Sequence, residues 1–81
     1  MHIQVRLFAA LAESAGTRAF LLDIPPGADA GAVREAVLVQ YPQMRGLCGR
    51  AALAVNAEYA GPDRIVQEGD EVALIPPVSG G

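Results

Sequence analysis

The chain ends Pro76-Pro77-Val78-Ser79-Gly80-Gly81, and the group in it with the most suggestive chemical setting is the carboxylate of Gly81. A carboxylate is a poor electrophile until an enzyme activates it, commonly as an acyl-adenylate. Access then decides the chemistry. The activating site must grip the backbone and bring the carboxylate to the α-phosphate of ATP, and a Cβ at position 80 or 81 would narrow the fit. Pro76 and Pro77 lack the N–H that a strand ladder needs and hold the exit extended. Six extended residues reach roughly 20 Å, enough to enter a deep pocket on another protein.

The other reactive groups are less promising. His2 is the single histidine and stands at a strand start, with no paired base and no ligand spacing around it, so it reads as a solvated residue. Cys48 sits in a segment, Met44 to Gly49, that reads as a loop. It has no histidine beside it and no C-x-x-C partner, so it reads as an inert thiol rather than a nucleophile or persulfide carrier. Glu68-Gly69-Asp70-Glu71 is acidic but lacks the alternating ligand spacing of a calcium loop, and Gly69 is accounted for by a turn before a strand. There is no phosphate-binding loop and no G-x-G-x-x-G. The expectation is a protein with no internal active site, no metal and no permanently bound cofactor.

Composition narrows the partners. Eighty-one residues make one small domain, and 52% hydrophobic residues are enough for a packed core. A net charge of −3 argues against nucleic acid, which needs a basic patch. All six cations are arginine. With no lysine the chain cannot form a Schiff base or accept a modifier on itself. One cysteine excludes an internal disulfide. The start alternates in polarity and no stretch reaches transmembrane length, so the expected location is the cytoplasm, away from the membrane.

The elements that must carry the tail follow from hydrophobic period. His2 to Phe8 alternates, with Ile3, Val5 and Leu7 inward and Gln4, Arg6 and Phe8 outward. Ala9 to Ala15 is a helical turn closed by Gly16. Arg18 to Ile24 is a second strand with Phe20, Leu22 and Ile24 inward. Asp29 caps a helix to about Gln40, whose stripe is Val33, Ala36, Val37 and Tyr41, and Pro42 stops it. Ala51 to Asn56 is a third strand with Leu53 and Val55 inward. An irregular piece runs through Tyr59, Gly61 and Pro62, and Ile65 and Val66 read as a brief fourth strand. Glu71 to Ile75 is the last strand, with Val72 and Leu74 inward and Ile75 outward by parity. The predicted fold is α+β, a β-grasp: a mixed sheet of four to five strands with one main helix on one face. Residues 1–75 form the domain and 76–81 the extended tail.

These residues match a known family. The chain resembles the small, sulfur-carrier subunit of molybdopterin synthase, a ubiquitin-like β-grasp protein. The match rests on Val5-Arg6-Leu7-Phe8-Ala9 running into Leu11, Glu13 and Gly16, on Ala54-Val55-Asn56, and above all on Glu68 through Gly81 with its GDEVA…PPVSGG pattern. The resemblance implies that an adenylating enzyme similar to ubiquitin-activating enzymes uses ATP to adenylate Gly81. A sulfur donor then makes a thiocarboxylate. Pro76, Pro77, Val78, Ser79 and Gly80 are the recognised tail, which enters the large synthase subunit and delivers sulfur to cyclic pyranopterin monophosphate. The implied assembly is two small and two large subunits. Family contact positions fall on Phe8, Tyr59 and Ile75, and parity independently leaves Phe8 and Ile75 outward. Two positions depart from the family pattern: Ala12 stands where an arginine is frequent, and Ile75 where an aromatic is common. The rival readings are a sulfur carrier for thiamine, cysteine or tRNA thiolation, a ubiquitin-like protein modifier, and an interaction module with an incidental tail.

Overall fold

The computed structural model describes residues 1–77. Five strands form one mixed sheet: β1 His2–Leu7, β2 Ala19–Asp23, β3 Ala52–Val55, β4 Glu58–Ala60 and β5 Glu71–Ile75. Their order across the sheet is β2-β1-β5-β3-β4. β1 and β5 run parallel, and every other neighbour is antiparallel. The helices are α1 Ala10–Ala15, α2 Ala30–Gln40 and α3 Arg45–Cys48, with a 3-10 turn at Pro42–Met44 leading into α3. This is the β-grasp arrangement, with α2 as its main helix.

Local chemistry sets the boundaries. The Asp29 carboxylate accepts from the Ala32 N–H at 2.8 Å, capping α2 as its position before the apolar stripe requires. Gly16 takes a left-handed conformation and its N–H reaches the Ala12 carbonyl at 2.9 Å, ending α1. Pro42 follows Tyr41, the C-cap of α2, and starts the 3-10 turn.

Alternation divides the sheet into two faces. Ile3, Val5 and Leu7 of β1, Leu22 of β2, Leu53 and Val55 of β3, and Val72 and Leu74 of β5 are buried against one layer. That layer is α2, through Ala30, Val33, Val37 and Leu38, together with Leu11, Met44, Cys48 and Val66. No polar or charged residue among those described is buried. The core is held by burial alone, at about 25 cal/mol per Å² of apolar surface.

Two expectations are corrected. Met44 to Gly49 is not a loop: the 3-10 turn and α3 put Met44 and Cys48 into the core at zero exposure. Ile65 and Val66 are not a strand: Ile65 makes one isolated bridge to Asp29, and the fourth strand is Glu58–Ala60. Phe20 faces inward with Leu22 as expected, and is half-buried against the core beside Tyr41, with ring centroids 5.1 Å apart.

Candidate functional site

The tail leaves the sheet from its centre. β5 is hydrogen-bonded to β1 on one side and to β3 on the other, so the strand that carries Pro76 and Pro77 is the middle one of the sheet. Pro76 is half-buried and Pro77 exposed. Val78, Ser79, Gly80 and Gly81, the remaining tail positions singled out from the sequence, lie outside the described residues.

The base of β5 is pinned at its other end. Asn56 has φ 51° in the turn between β3 and β4. Its amide Nδ2 donates to Asp70 at 3.0 Å, its Oδ1 accepts from the Glu71 N–H at 3.0 Å, and its own N–H reaches the Glu71 carbonyl at 2.8 Å. Asp70 also accepts from the Gln67 N–H at 2.8 Å. The Asn56 and Gln67 bonds favour the charged carboxylate and hold Asp70 below its ordinary pKa. Asn56 and the Gly69-Asp70-Glu71 turn, both motifs of the resemblance, are therefore one clamp that fixes where the tail strand begins.

The face of the sheet opposite α2 has no covering layer among the described residues. Register lays out one row across it: Ala19, Arg6, Ala73, Ala54 and Tyr59. The next row holds Ile75 opposite Ala52, with Phe8 one residue past the Leu7–Leu74 pair on the neighbouring strand. Phe8 is 42% exposed, Tyr59 is 77% exposed and Ile75 is half-buried. Phe8 and Ile75 are thus brought onto adjacent strands. Tyr59 shares their face but stands on the edge strand, two strand spacings of about 4.8 Å from Ile75. The three frame a floor rather than form one cluster. That floor is Ala54 and Ala73, only 5% and 7% exposed on an otherwise open face.

Sequence reasoning did not single out Ala54 and Ala73. The signal was there: a strand solvated on one side carries polar residues at alternate positions, yet β3 and β5 place alanine at theirs. Arg6 flanks this floor and pairs with Glu71, Nε to carboxylate 3.3 Å.

The remaining candidates are structural. Burial, its largest influence, pushes the Cys48 thiol up, Arg34 pulls it back and Glu35 adds to the rise; such a thiol is a poor nucleophile at neutral pH. His2 is exposed, with its backbone N–H donating to Glu68 at 3.0 Å. Among the described residues no group of His, Cys, Asp and Glu is placed to hold a metal ion, and no helix is long and apolar enough to cross a membrane.

The ThiS family model matches residues 5–81, which takes in the clamp, the alanine floor and the terminal glycines. The chain belongs to the ThiS family. Among similar proteins is the molybdopterin synthase sulfur carrier subunit of Arabidopsis thaliana, 35% identical over all of this chain and 84% of the plant protein. The crystal structure of SAMP1, a small archaeal modifier protein of Haloferax volcanii, superposes with a TM-score of 0.89 at 32% identity, covering both chains fully. A complex of subunits 1 and 2 of molybdopterin-converting factor from Helicobacter pylori contains a chain with a TM-score of 0.72 and 26% identity, again covering both fully. The resemblance drawn from the motifs and the ubiquitin-like β-grasp fold both stand, and kinship with sulfur-carrier subunits spans the whole chain.

Proposed function

We propose that this chain is the sulfur-carrier subunit of a molybdopterin synthase and that Gly81 carries the sulfur. The observation behind the reading is the full-length kinship with sulfur-carrier subunits in a chain that ends Gly80-Gly81. The chemistry runs in three steps. The Gly81 carboxylate attacks the α-phosphate of ATP in an adenylating partner, releasing pyrophosphate. A sulfur donor attacks the acyl carbon and displaces AMP, leaving a thiocarboxylate. The loaded tail then enters the large subunit, where the thiocarboxylate sulfur bonds to a side-chain carbon of cyclic pyranopterin monophosphate as an oxygen substituent leaves that carbon. Water cleaves the resulting thioester to leave sulfur on the pterin and restore the carboxylate. A dithiolene holds two sulfur atoms, so each product consumes two loaded carriers.

The chain contributes positioning. β5 is held between two strands and its start is fixed by the Asn56–Asp70 clamp, so the tail base has one direction. The outward face around Ala54 and Ala73, framed by Phe8, Tyr59 and Ile75, is the surface that docks on the large subunit, an arrangement of two small and two large subunits. A flat apolar floor with larger residues around it suits a protein interface. The Helicobacter pylori complex supports the large subunit as the partner.

The test is the intact mass of the chain after incubation with the adenylating enzyme, ATP and a sulfide source. The expected result is a gain equal to one oxygen replaced by sulfur, mapped to Gly81 and absent when Gly81 is deleted. Sulfur transfer to the pterin by the truncated chain would sink the proposal.

The likeness to SAMP1 favours a second reading, in which the activated Gly81 is joined to lysines of other proteins as a modifier. A ladder of higher-mass conjugates that disappears with Gly81 would support it. A chain loaded with sulfur but never conjugated would count against it.

A further inference from the structure

At one corner of the outward face, where β1 turns into α1 and β2 begins, lies a hollow of about 410 Å³ lined by Arg6, Phe8, Ala9, Ala12, Arg18 and Ala19. It exists because two of its walls are methyl groups. Ala9 has φ 51° and bends the chain sharply from β1 into α1, and Ala12 stands one turn on. Two arginines, Arg6 and Arg18, line the same space. Glu71 engages only Nε of Arg6, and the terminal nitrogens of Arg6 make no hydrogen bond among the described residues. Arg18 makes neither an ion pair nor a side-chain hydrogen bond among them. In a chain of net charge −3, this corner is locally cationic.

We propose that this hollow receives an aspartate or glutamate side chain of the large synthase subunit. The inference rests on the sulfur-carrier reading above and adds a specific charge contact to it. A partner laid over Phe8 and the alanine floor also covers the hollow, because Phe8 and Arg6 belong to both. Arg6 keeps the Glu71 carboxylate, but covering Arg18 without an anion leaves dehydrated, unpaired charge, which is strongly unfavourable. A carboxylate fits the requirement: its two oxygens match the planar fork of guanidinium N–H donors, and the hollow has room for a side chain that a flat surface would lack. The apolar floor gives the complex area, while the corner fixes how the partner is turned on it and favours its approach.

The experiment measures Kd for the cognate large subunit at low and at high salt, with native chain, Arg18→Glu and Arg18→Gln. The native complex is expected to weaken as salt rises. Arg18→Glu should weaken binding about tenfold or more at low salt, Arg18→Gln less, and both should flatten the salt dependence. An unchanged thermal midpoint of the free variants assigns the loss to the contact rather than to folding. Reversing one acidic residue of the large subunit to lysine should restore affinity for Arg18→Glu. Variants that bind within twofold of the native chain overturn the proposal and leave the sulfur-carrier reading standing. Weakening confined to the adenylating enzyme also overturns it, because the occupant then belongs to a different partner. A native chain that does not bind the large subunit at all removes both.

Discussion

Cys48 and Asp70 show how placement decides what a reactive side chain does. Cys48 is the only thiol in the chain and sits at zero exposure on α3 within the core, with burial pushing its pKa up. It is expected to resist a disulfide-exchange reagent in the native state and to react fully once the chain is unfolded; fast native labelling would reopen a chemical role for it. Asp70 sits at the surface and works through hydrogen bonds to Asn56 and Gln67. Its folded pKa is depressed below the ordinary 3.8, so its contribution to stability is complete above that value and is lost as pH falls through the folded one. Asp70→Asn should therefore lower the urea midpoint at neutral pH, and the gap to the native chain should close in strong acid. A gap that stayed constant with pH would show that the charge is not what the clamp uses.

At the scale of elements, the turn between β3 and β4 carries a local conflict. Asn56 and Ala57 have φ 51° and 70°, the two-residue hairpin geometry in which glycine is favoured at the second position. A left-handed residue with a Cβ costs about 1–2 kcal/mol, whereas glycine loses about 0.5–1 kcal/mol through the freedom of the unfolded chain. Ala57→Gly should therefore stabilise by up to about 1 kcal/mol in denaturant unfolding, without changing the fold. Asn-Ala also hid the hairpin in the sequence. With Asn-Gly there, a three-residue strand at Glu58–Ala60 would have been legible; without it, Ile65 and Val66 looked the better strand. α3 escaped for a related reason, since four residues cannot display a helical period. The long elements were legible because their signals are redundant: β1 alternates over its full length, and α2 has its Asp29 cap, apolar stripe and Pro42 stop. The outward alanine floor was harder to read, because alanine carries no charge or bulk and its role appears only when strand register sets Ala54 beside Ala73.

For the molecule as a whole, the two faces of one strand separate folding from docking. Leu74 and Ala73 are neighbours on β5, but Leu74 points into the layer beneath α2 and Ala73 onto the open face. Leu74→Ala removes a fully buried side chain and should cost about 2–5 kcal/mol, a large share of the roughly 5–15 kcal/mol that holds a domain of this kind together. The fraction that remains folded should still bind the large subunit with native affinity, because nothing on the docking face has changed. Ala73→Glu reverses the pattern. Its side chain projects outward, so the denaturant midpoint should shift far less than in Leu74→Ala, while a charge in the middle of the apolar floor should abolish measurable docking on the large subunit. Adenylation and sulfur loading of Gly81 provide the third readout: a variant that is folded and loads sulfur but passes none to the pterin has lost the docking surface alone. If Ala73→Glu binds the large subunit as the native chain does, the outward face is not the interface, and the tail alone must carry recognition.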